Sequence, residues 1–366
     1  MIDVNEILRF ATKKDASDIH LISGMQPMLR VFEDLVPYDD CEELIPDDMN
    51  DIYDYFIRGN VHKDEEFKEK KRLDLTFEFE GIRFRVNISS SNDIPVFTLS
   101  IIKNELPTLE ELGVPNIIKK KICEGQGLIL ITGRAKSGKT TTLNALINYI
   151  NENQNKIVLT LESPVEFKHE PKKSIIVQKE VGDGQDVLTY EDGVKNSLKE
   201  DCDVLAIGEI RDRNTMDAAI EAVETGHLVI GIMNTRTCSE TIDRIISFYD
   251  INEQQNIKYE IASLLKLVIS QRILKNERLI MIPEVMVMDN IIARLIKKEK
   301  FNICEVENVM QSLANNGSVG LLDSIAKLFI EEKITLEQAK AQVEEKDIEN
   351  LNRTIMQLKI KKGNSL

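Results

Sequence analysis

One segment constrains this chain more than any other. Gly133-Arg134-Ala135-Lys136-Ser137-Gly138-Lys139-Thr140 fits the spacing G-x-x-x-x-G-K-[ST], and it lies between an apolar run (Leu128–Thr132) and a helical pattern (Thr141–Ile150). A strand that enters a glycine-rich turn and leaves as a helix aims backbone N–H groups inward, a cradle for phosphate oxygens with the positive end of the helix behind it. In that geometry Lys139 reaches the β- and γ-phosphates of a nucleoside triphosphate, and the Thr140 hydroxyl ligates Mg²⁺. The expected ligands are therefore ATP and Mg²⁺, held by Gly133, Arg134, Ala135, Lys136, Ser137, Gly138, Lys139, Thr140 and Thr141.

Around this loop the chain alternates strand and helix patterns. The runs Leu128–Thr132, Ile157–Leu161, Val204–Ile207 and Leu228–Ile232 are short, apolar and rich in β-branched residues, as parallel strands buried on both faces require. Val204–Ile207 ends in Gly208-Glu209, the layout of a Walker B strand, whose terminal carboxylate acts on Mg²⁺ or on the attacking water. Thr160 to Glu166 ends another run with two carboxylates, Glu162 and Glu166. His227 follows Gly226 between a helix pattern and a strand pattern; by itself such a histidine reads as structural. Beyond Asn252 nearly everything reads as helix, including Ile257–Leu274, Ile291–Lys300 and Leu321–Glu332.

The first hundred residues differ in kind. A helix over Asp3 to Lys13 is followed by strands near Asp18–Ser23 and Met28–Val31. Leu73, Leu75, Phe77 and Phe79 then alternate with polar residues, as do Ile82, Phe84, Val86 and Ile88, and Glu80-Gly81 stands between the two series. A period of two on either side of a turn pair predicts a hairpin with one apolar face. Its other face carries Arg83 and Arg85, which read as solvated on this pattern alone. Pro107, Gly113 and Pro115 punctuate the passage to the second part.

Composition removes several classes of function. A hydrophobic fraction of 42% and a charged fraction of 30% describe an ordinary globular chain. No apolar run reaches the ~20 residues that span a bilayer, and the first twenty residues lack a signal-peptide layout, so a cytoplasmic protein is expected. The five cysteines are scattered and the histidines number four, which argues against structural zinc and disulfides. A net charge of −15 argues against a nucleic-acid partner.

The segments, in this order, resemble the secretion-system ATPases, and among them the type IV pilus retraction motors, over nearly the whole chain. Ala16-Ser17-Asp18-Ile19-His20 is similar to the family's N-terminal signature. Gly81 to Asn87 resembles its arginine-bearing strand, and Thr108 to Pro115 its interdomain linker. Gly208 to Asp212 resembles the Walker B continuation, Thr225 to Val229 the start of the His box, and Ser270 to Leu274 a helix of the family. The resemblance implies an α/β chain in two parts. A small mixed α+β, PAS-like domain spans 1–106, a linker spans 107–118, and a RecA-like P-loop ATPase domain spans 119–366, its helical C-terminal part from 252 onward.

It also implies a homohexamer with ATP near the subunit boundaries. Arg83 and Arg85 would reach the phosphates as arginine fingers, Glu209 would be the Walker B carboxylate and Mg²⁺ ligand beside Thr140, Glu162 the Asp-box carboxylate, and His227 a sensor of the nucleotide state. The implied function is a motor that couples ATP hydrolysis to pilus retraction in twitching motility. It would act at the cytoplasmic face of the inner membrane through a platform protein, and through that protein on pilin. Departures from the family pattern fall at Ser163, Asn234, Arg134, Lys136 and Ser100, and the retraction-type helix survives only as Ile291 to Lys298. They keep two alternatives in view, an ATPase of pilus assembly or type II secretion and a regulatory subunit that binds nucleotide but scarcely hydrolyses it.

Lys139→Ala removes the charge on the β- and γ-phosphates, which no neighbouring backbone donor replaces. Steady-state phosphate release should fall to background and equilibrium ATP binding should weaken greatly. Undiminished turnover would put the nucleotide site elsewhere in the chain.

Overall fold

A computed structural model describes residues 3–31, 34–102, 106–275, 279–312 and 317–363. The chain divides into two compact units, the first formed by Met1–Leu106 with Ser163–Lys168 and Gly182–Asp186, the second by the remainder.

The first unit contains α1 (Val4–Lys13), β1 (Asp18–Leu21), β2 (Met28–Val31), β3 (Asp34–Pro37), α2 (Pro46–Ile57), α3 (Val61–Lys70), β4 (Arg72–Phe79), β5 (Ile82–Ser91) and β6 (Ile94–Ile102). The Asp3 carboxylate caps α1 by accepting the Asn5 N–H at 2.9 Å. Val4, Ile7, Leu8 and Ala11 recur at helical spacing and are buried. All strand pairs of the sheet, in the order β3-β2-β1-β6-β5-β4, are antiparallel. The expected hairpin is β4–β5. Its two turn residues, Glu80 (φ 50°) and Gly81 (φ 78°), are both left-handed, the twist that joins adjacent antiparallel strands without splaying them. Leu73, Leu75, Phe77, Phe84 and Val86 enter the core, where Phe56 meets Phe77 edge to face at 5.0 Å.

The second unit opens at Pro107. Of the residues expected as a linker, Leu109, Val114 and Ile118 are buried in this unit's core, and Ile118 already belongs to α4 (Asn116–Cys123). There follow β7 (Gly127–Thr132), α5 (Lys139–Asn153), β8 (Ile157–Glu162), β9 (Ile175–Glu180), α6 (Tyr190–Ser197), β10 (Val204–Ile207), α7 (Arg213–Glu224), β11 (Leu228–Met233), α8 (Cys238–Ile246) and α9 (Gln254–Leu264). After these come β12 (Leu265–Lys275), β13 (Leu279–Val287), α10 (Asn290–Ile296), α11 (Ile303–Ser312), α12 (Leu321–Ile330), α13 (Leu336–Ala341) and α14 (Ile348–Gly363). Among the described residues no helix is long and apolar enough to cross a membrane.

The strands form one sheet in the order β13-β12-β7-β11-β10-β8-β9, parallel except for β13. Successive side chains of a strand feed opposite cores. Leu128 and Leu130 of β7 pack with α7, α8 and α9 residues, and Ile129 and Ile131 pack with Leu143, Leu146 and Ile147 of α5. Strands β8, β10 and β11 divide in the same way, which is why Val158 with Leu159, Val204–Ile207 and Leu228–Met233 are apolar on both faces. α12 and α14 cover the far end of the β12–β13 hairpin through Ile325, Leu351, Leu274 and Ile282.

The expectation of helix through Leu274 is corrected here, while outside β12 and β13 the described part after residue 252 is mostly helical, as expected. Helix α9 stops at Leu264 and the chain continues as β12, so Ser270 to Leu274 lies on a strand. Ile257, Ile261, Leu265 and Val268 recur at helical spacing, which makes one continuous helix look sound from sequence. Pairing with the open edge of β7 wins, because it buries Leu267, Val268 and Ile269 on both faces while satisfying their backbone groups. Pro283 is tolerated in β13 because that strand is the sheet edge.

Val268→Ala and Ile269→Ala each empty a fully buried site on one face of β12 and should each destabilise the second unit by about 2–4 kcal/mol in urea unfolding. Ile251→Ala, at a position 86% exposed, should change it by less than about 0.5 kcal/mol. A loss below about 0.5 kcal/mol at both β12 positions would contradict a central strand there.

Candidate active site

The turn from β7 into α5 leaves no room for another chain path. Gly133 has φ 149°, and a Cβ there would come within 2.4 Å of Ser137 Oγ and 2.5 Å of the Gln271 carbonyl. Gly138 (φ 78°) is the N-cap of α5 and supplies no side-chain acceptor, so the first-turn N–H groups of the helix lack a side-chain cap. Ser137 Oγ is buried without a hydrogen-bond partner, and so is Gln271 Oε1, although Gln271 Nε2 donates to the Ser137 carbonyl at 2.6 Å. Lys139 Nζ donates to the carbonyls of Gly133 (2.9 Å) and Arg134 (2.8 Å). Burial holds its pKa below the ordinary lysine value, against the opposing charge of Glu209. An uncapped helix end, an unpartnered hydroxyl and an ammonium resting on loop carbonyls fit a phosphate chain. Lys136 takes the left-handed conformation (φ 62°), which favours glycine, while Arg134, Ala135 and Lys136 stay exposed. Thr140 and Thr141 lie in the first turn of α5, half-buried.

The carboxylates are at the carboxyl ends of neighbouring strands. The Gly208 N–H donates to the Leu161 carbonyl (2.8 Å) and the Ile210 N–H to the Ile232 carbonyl (2.7 Å), which stitches the chain after β10 to β8 on one side and β11 on the other. Glu209 between them accepts from Asn234 Nδ2 at 2.9 Å and pairs with Arg211 at 2.6 Å. Glu162 ends β8 and is 2% exposed. Its Oε1 accepts from Thr160 Oγ1 (2.8 Å) and Gln178 Nε2 (3.2 Å), and its Oε2 from Asn144 Nδ2 (3.4 Å). The strand register therefore brings the loop, Glu209 and Glu162 to one end of the sheet.

It does not bring His227 there. The pairs Leu228↔Gly127 and Met233↔Thr132 put His227 at the amino end of β11 and the loop at the carboxyl end of β7. Six residues of strand, roughly 20 Å, separate those ends. His227 Nδ1 instead lies 2.8 Å from the Ala222 carbonyl and 3.1 Å from Thr225 Oγ1, where it closes the turn after α7. Within its own unit the histidine fills the structural role that its bare sequence context suggests.

The arginines belong to the first unit, and the solvated-face reading is corrected for one of them. Arg83 is 8% exposed and donates through Nη1 to the Glu166 carbonyl at 2.9 Å. Arg85 is partly exposed and makes a long ion pair, 3.6 Å, with Asp74.

Sequence reading missed three groups around Glu162. Asn144 was the one with a signal, a polar residue inside an apolar helical run four positions after Thr140; it is fully buried. Gln178 lies on β9, a strand not anticipated, and His169 in the loop before it. His169 is pushed down to about 4, by burial first and by the Lys172 charge second, and is neutral at pH 7. Gln271 lies on β12, where apolar spacing predicts helix, and the only sequence signal at Asn234 is its departure from the family pattern.

A parallel sheet with a phosphate loop after one strand and acidic side chains after two others defines a RecA-like P-loop protein. The chain matches the type II/IV secretion system protein family over residues 1–363 and belongs to that family. It is 34% identical to the type IV pilus retraction ATPase PilT of Pseudomonas aeruginosa, across 93% of this chain and 98% of that one. It is 33% identical to a twitching motility protein of Neisseria gonorrhoeae, across 91% and 88% of the two chains. The crystal structure of the pilus retraction motor PilT with bound ADP superimposes with a TM-score of 0.84 at 31% identity, covering 96% of this chain and all of that one.

Arg83→Ala removes a buried, charge-assisted hydrogen bond and should destabilise the first unit by about 1–2 kcal/mol in thermal or urea unfolding. Arg85→Ala removes an exposed pair and should cost less than about 0.5 kcal/mol. Equal costs would deny Arg83 its structural share.

Proposed function

We propose that this chain is a hexameric motor ATPase that couples ATP hydrolysis to type IV pilus retraction. The observation that carries the chemistry is the convergence, at one end of a parallel sheet, of an uncapped P-loop helix with Lys139, Glu209 and the buried Glu162. The retraction role is supported by likeness to pilus retraction proteins over nearly the full length of both chains.

In this reading the loop N–H groups and Lys139 hold the phosphates, and Thr140 and Glu209 hold Mg²⁺. When bound, that ion neutralises charge developing on the phosphates. Glu162 accepts the proton of the attacking water, its carboxylate held in one orientation by three side-chain donors. Arg83 and Arg85 stabilise phosphate charge within the assembled ring, where a guanidinium offers several fixed donors to phosphate oxygens. Force from the ring passes to an inner-membrane platform protein and so to pilin, at the cytoplasmic face of the membrane. A second reading, a subunit that binds nucleotide but turns it over slowly, is favoured by one feature: both Glu209 oxygens are engaged, by Asn234 and Arg211.

Glu209→Gln keeps size and hydrogen bonding but removes the charge. ATP should still bind with wild-type affinity, while phosphate release falls by about 100-fold or more. Hydrolysis within a few-fold of wild type would remove Glu209 from the mechanism. A wild type no faster than Lys139→Ala would favour the second reading.

A further inference from the structure

We propose that His169 is a positioning residue for Glu162, acting through the side-chain amides of Asn144 and Gln178; the proposal rests on the ATPase reading above. His169 serves both oxygens of the carboxylate by two routes. Its Nε2 lies 2.7 Å from Asn144 Oδ1, and Asn144 Nδ2 faces Glu162 Oε2 at 3.4 Å. Its backbone N–H donates to Gln178 Oε1 at 2.9 Å, and Gln178 Nε2 donates to Glu162 Oε1 at 3.2 Å.

The acceptors fix the direction of every bond. Asn144 Nδ2 also faces the Thr140 carbonyl at 3.0 Å, so the nitrogen side of this buried amide looks at two groups that only accept. A flipped amide would set oxygen against both a carbonyl and a carboxylate. Asn144 Oδ1 therefore points to His169, and Nε2 must carry the hydrogen that it accepts. The backbone N–H of His169 can only donate, which turns the oxygen of Gln178 toward it and the nitrogen toward Glu162. Thr140, the hydroxyl residue of the phosphate loop, is joined to the same amide. The relay thus ties the start of α5 to the carboxylate, so displacement of the loop carrying His169 reaches both.

Burial and side-chain occupancy do not already explain this arrangement. A hydrophobic side chain at 169 would fill the space but leave Asn144 Oδ1 buried without a donor, freeing the amide to turn. Glutamine carries an N–H at nearly the reach of Nε2 and should restore the donor.

The test uses the full chain with four variants: His169→Phe, His169→Gln, Asn144→Asp and Glu162→Gln. In nucleotide-free protein labelled with ¹⁵N-histidine, which has only four histidines to assign, two-bond ¹⁵N–¹H spectra should show His169 as the neutral Nε2–H tautomer. An Nδ1–H tautomer overturns the relay. In steady-state assays kcat of His169→Phe should fall by about 10–100-fold, while affinity for a fluorescent ATP analogue stays within about 3-fold. His169→Gln should keep kcat within about 3-fold of wild type. Should His169→Phe fail to fold, Asn144→Asp, which faces Glu162 with a carboxylate, should show the same loss of kcat. Wild-type kcat in His169→Phe or Asn144→Asp, beside an impaired Glu162→Gln, overturns the relay alone. An equal loss in His169→Phe and His169→Gln does so too. Full activity of Glu162→Gln overturns the relay together with the role of Glu162, and a wild type without hydrolysis overturns the ATPase reading as well.

Discussion

The parallel pairing of β12, β7, β11, β10 and β8 is the constraint on which the rest depends. Parallel register sends every carboxyl end to the same edge of the sheet, and only at that edge do loops leave strands in a common direction. The phosphate loop after β7, Glu209 after β10 and Glu162 at the end of β8 meet for this reason. They are far apart in sequence, and no local preference would collect them. The same register excludes His227, which precedes its strand where the other groups follow theirs.

Such a site asks for polar groups inside an apolar sandwich, and the costs are met by explicit partners. Glu162 is nearly inaccessible, and three side-chain donors surround it. Leaving any buried donor or acceptor unmade costs about 1–3 kcal/mol, so a network of this kind is held together by the penalty for breaking it as much as by the bonds themselves. The unpartnered polar atoms at the loop, Ser137 Oγ of the turn and Gln271 Oε1 from β12, stand out against that background. They occur where a phosphate chain is to be received.

Two side chains that share a strand face have different surroundings. Strand alternation puts Arg83 and Arg85 on one side of β5, yet Arg83 is buried against the Glu166 carbonyl while Arg85 remains accessible. A period of two reports which face a residue takes. It does not report whether something else covers that face, and here residues eighty positions away do so.

The sequence by itself determined the phosphate loop, because its requirements are local: glycines for conformations that a Cβ forbids, and a lysine and a threonine at fixed steps along one helix turn. It determined most of the parallel strands as well, since a strand buried on both faces must be apolar throughout, and it determined the β4–β5 hairpin, where a turn pair separates two runs of period two. Tertiary structure alone decided that Leu265 onward is a strand. Its apolar residues also recur at helical spacing, and only the open hydrogen-bonding edge of β7 separates the two outcomes. It alone decided the surroundings of Glu162 too. Asn144, His169 and Gln178 come from a helix, a loop and a strand, and a hydrogen bond depends on distance in space, which separation along the chain does not encode.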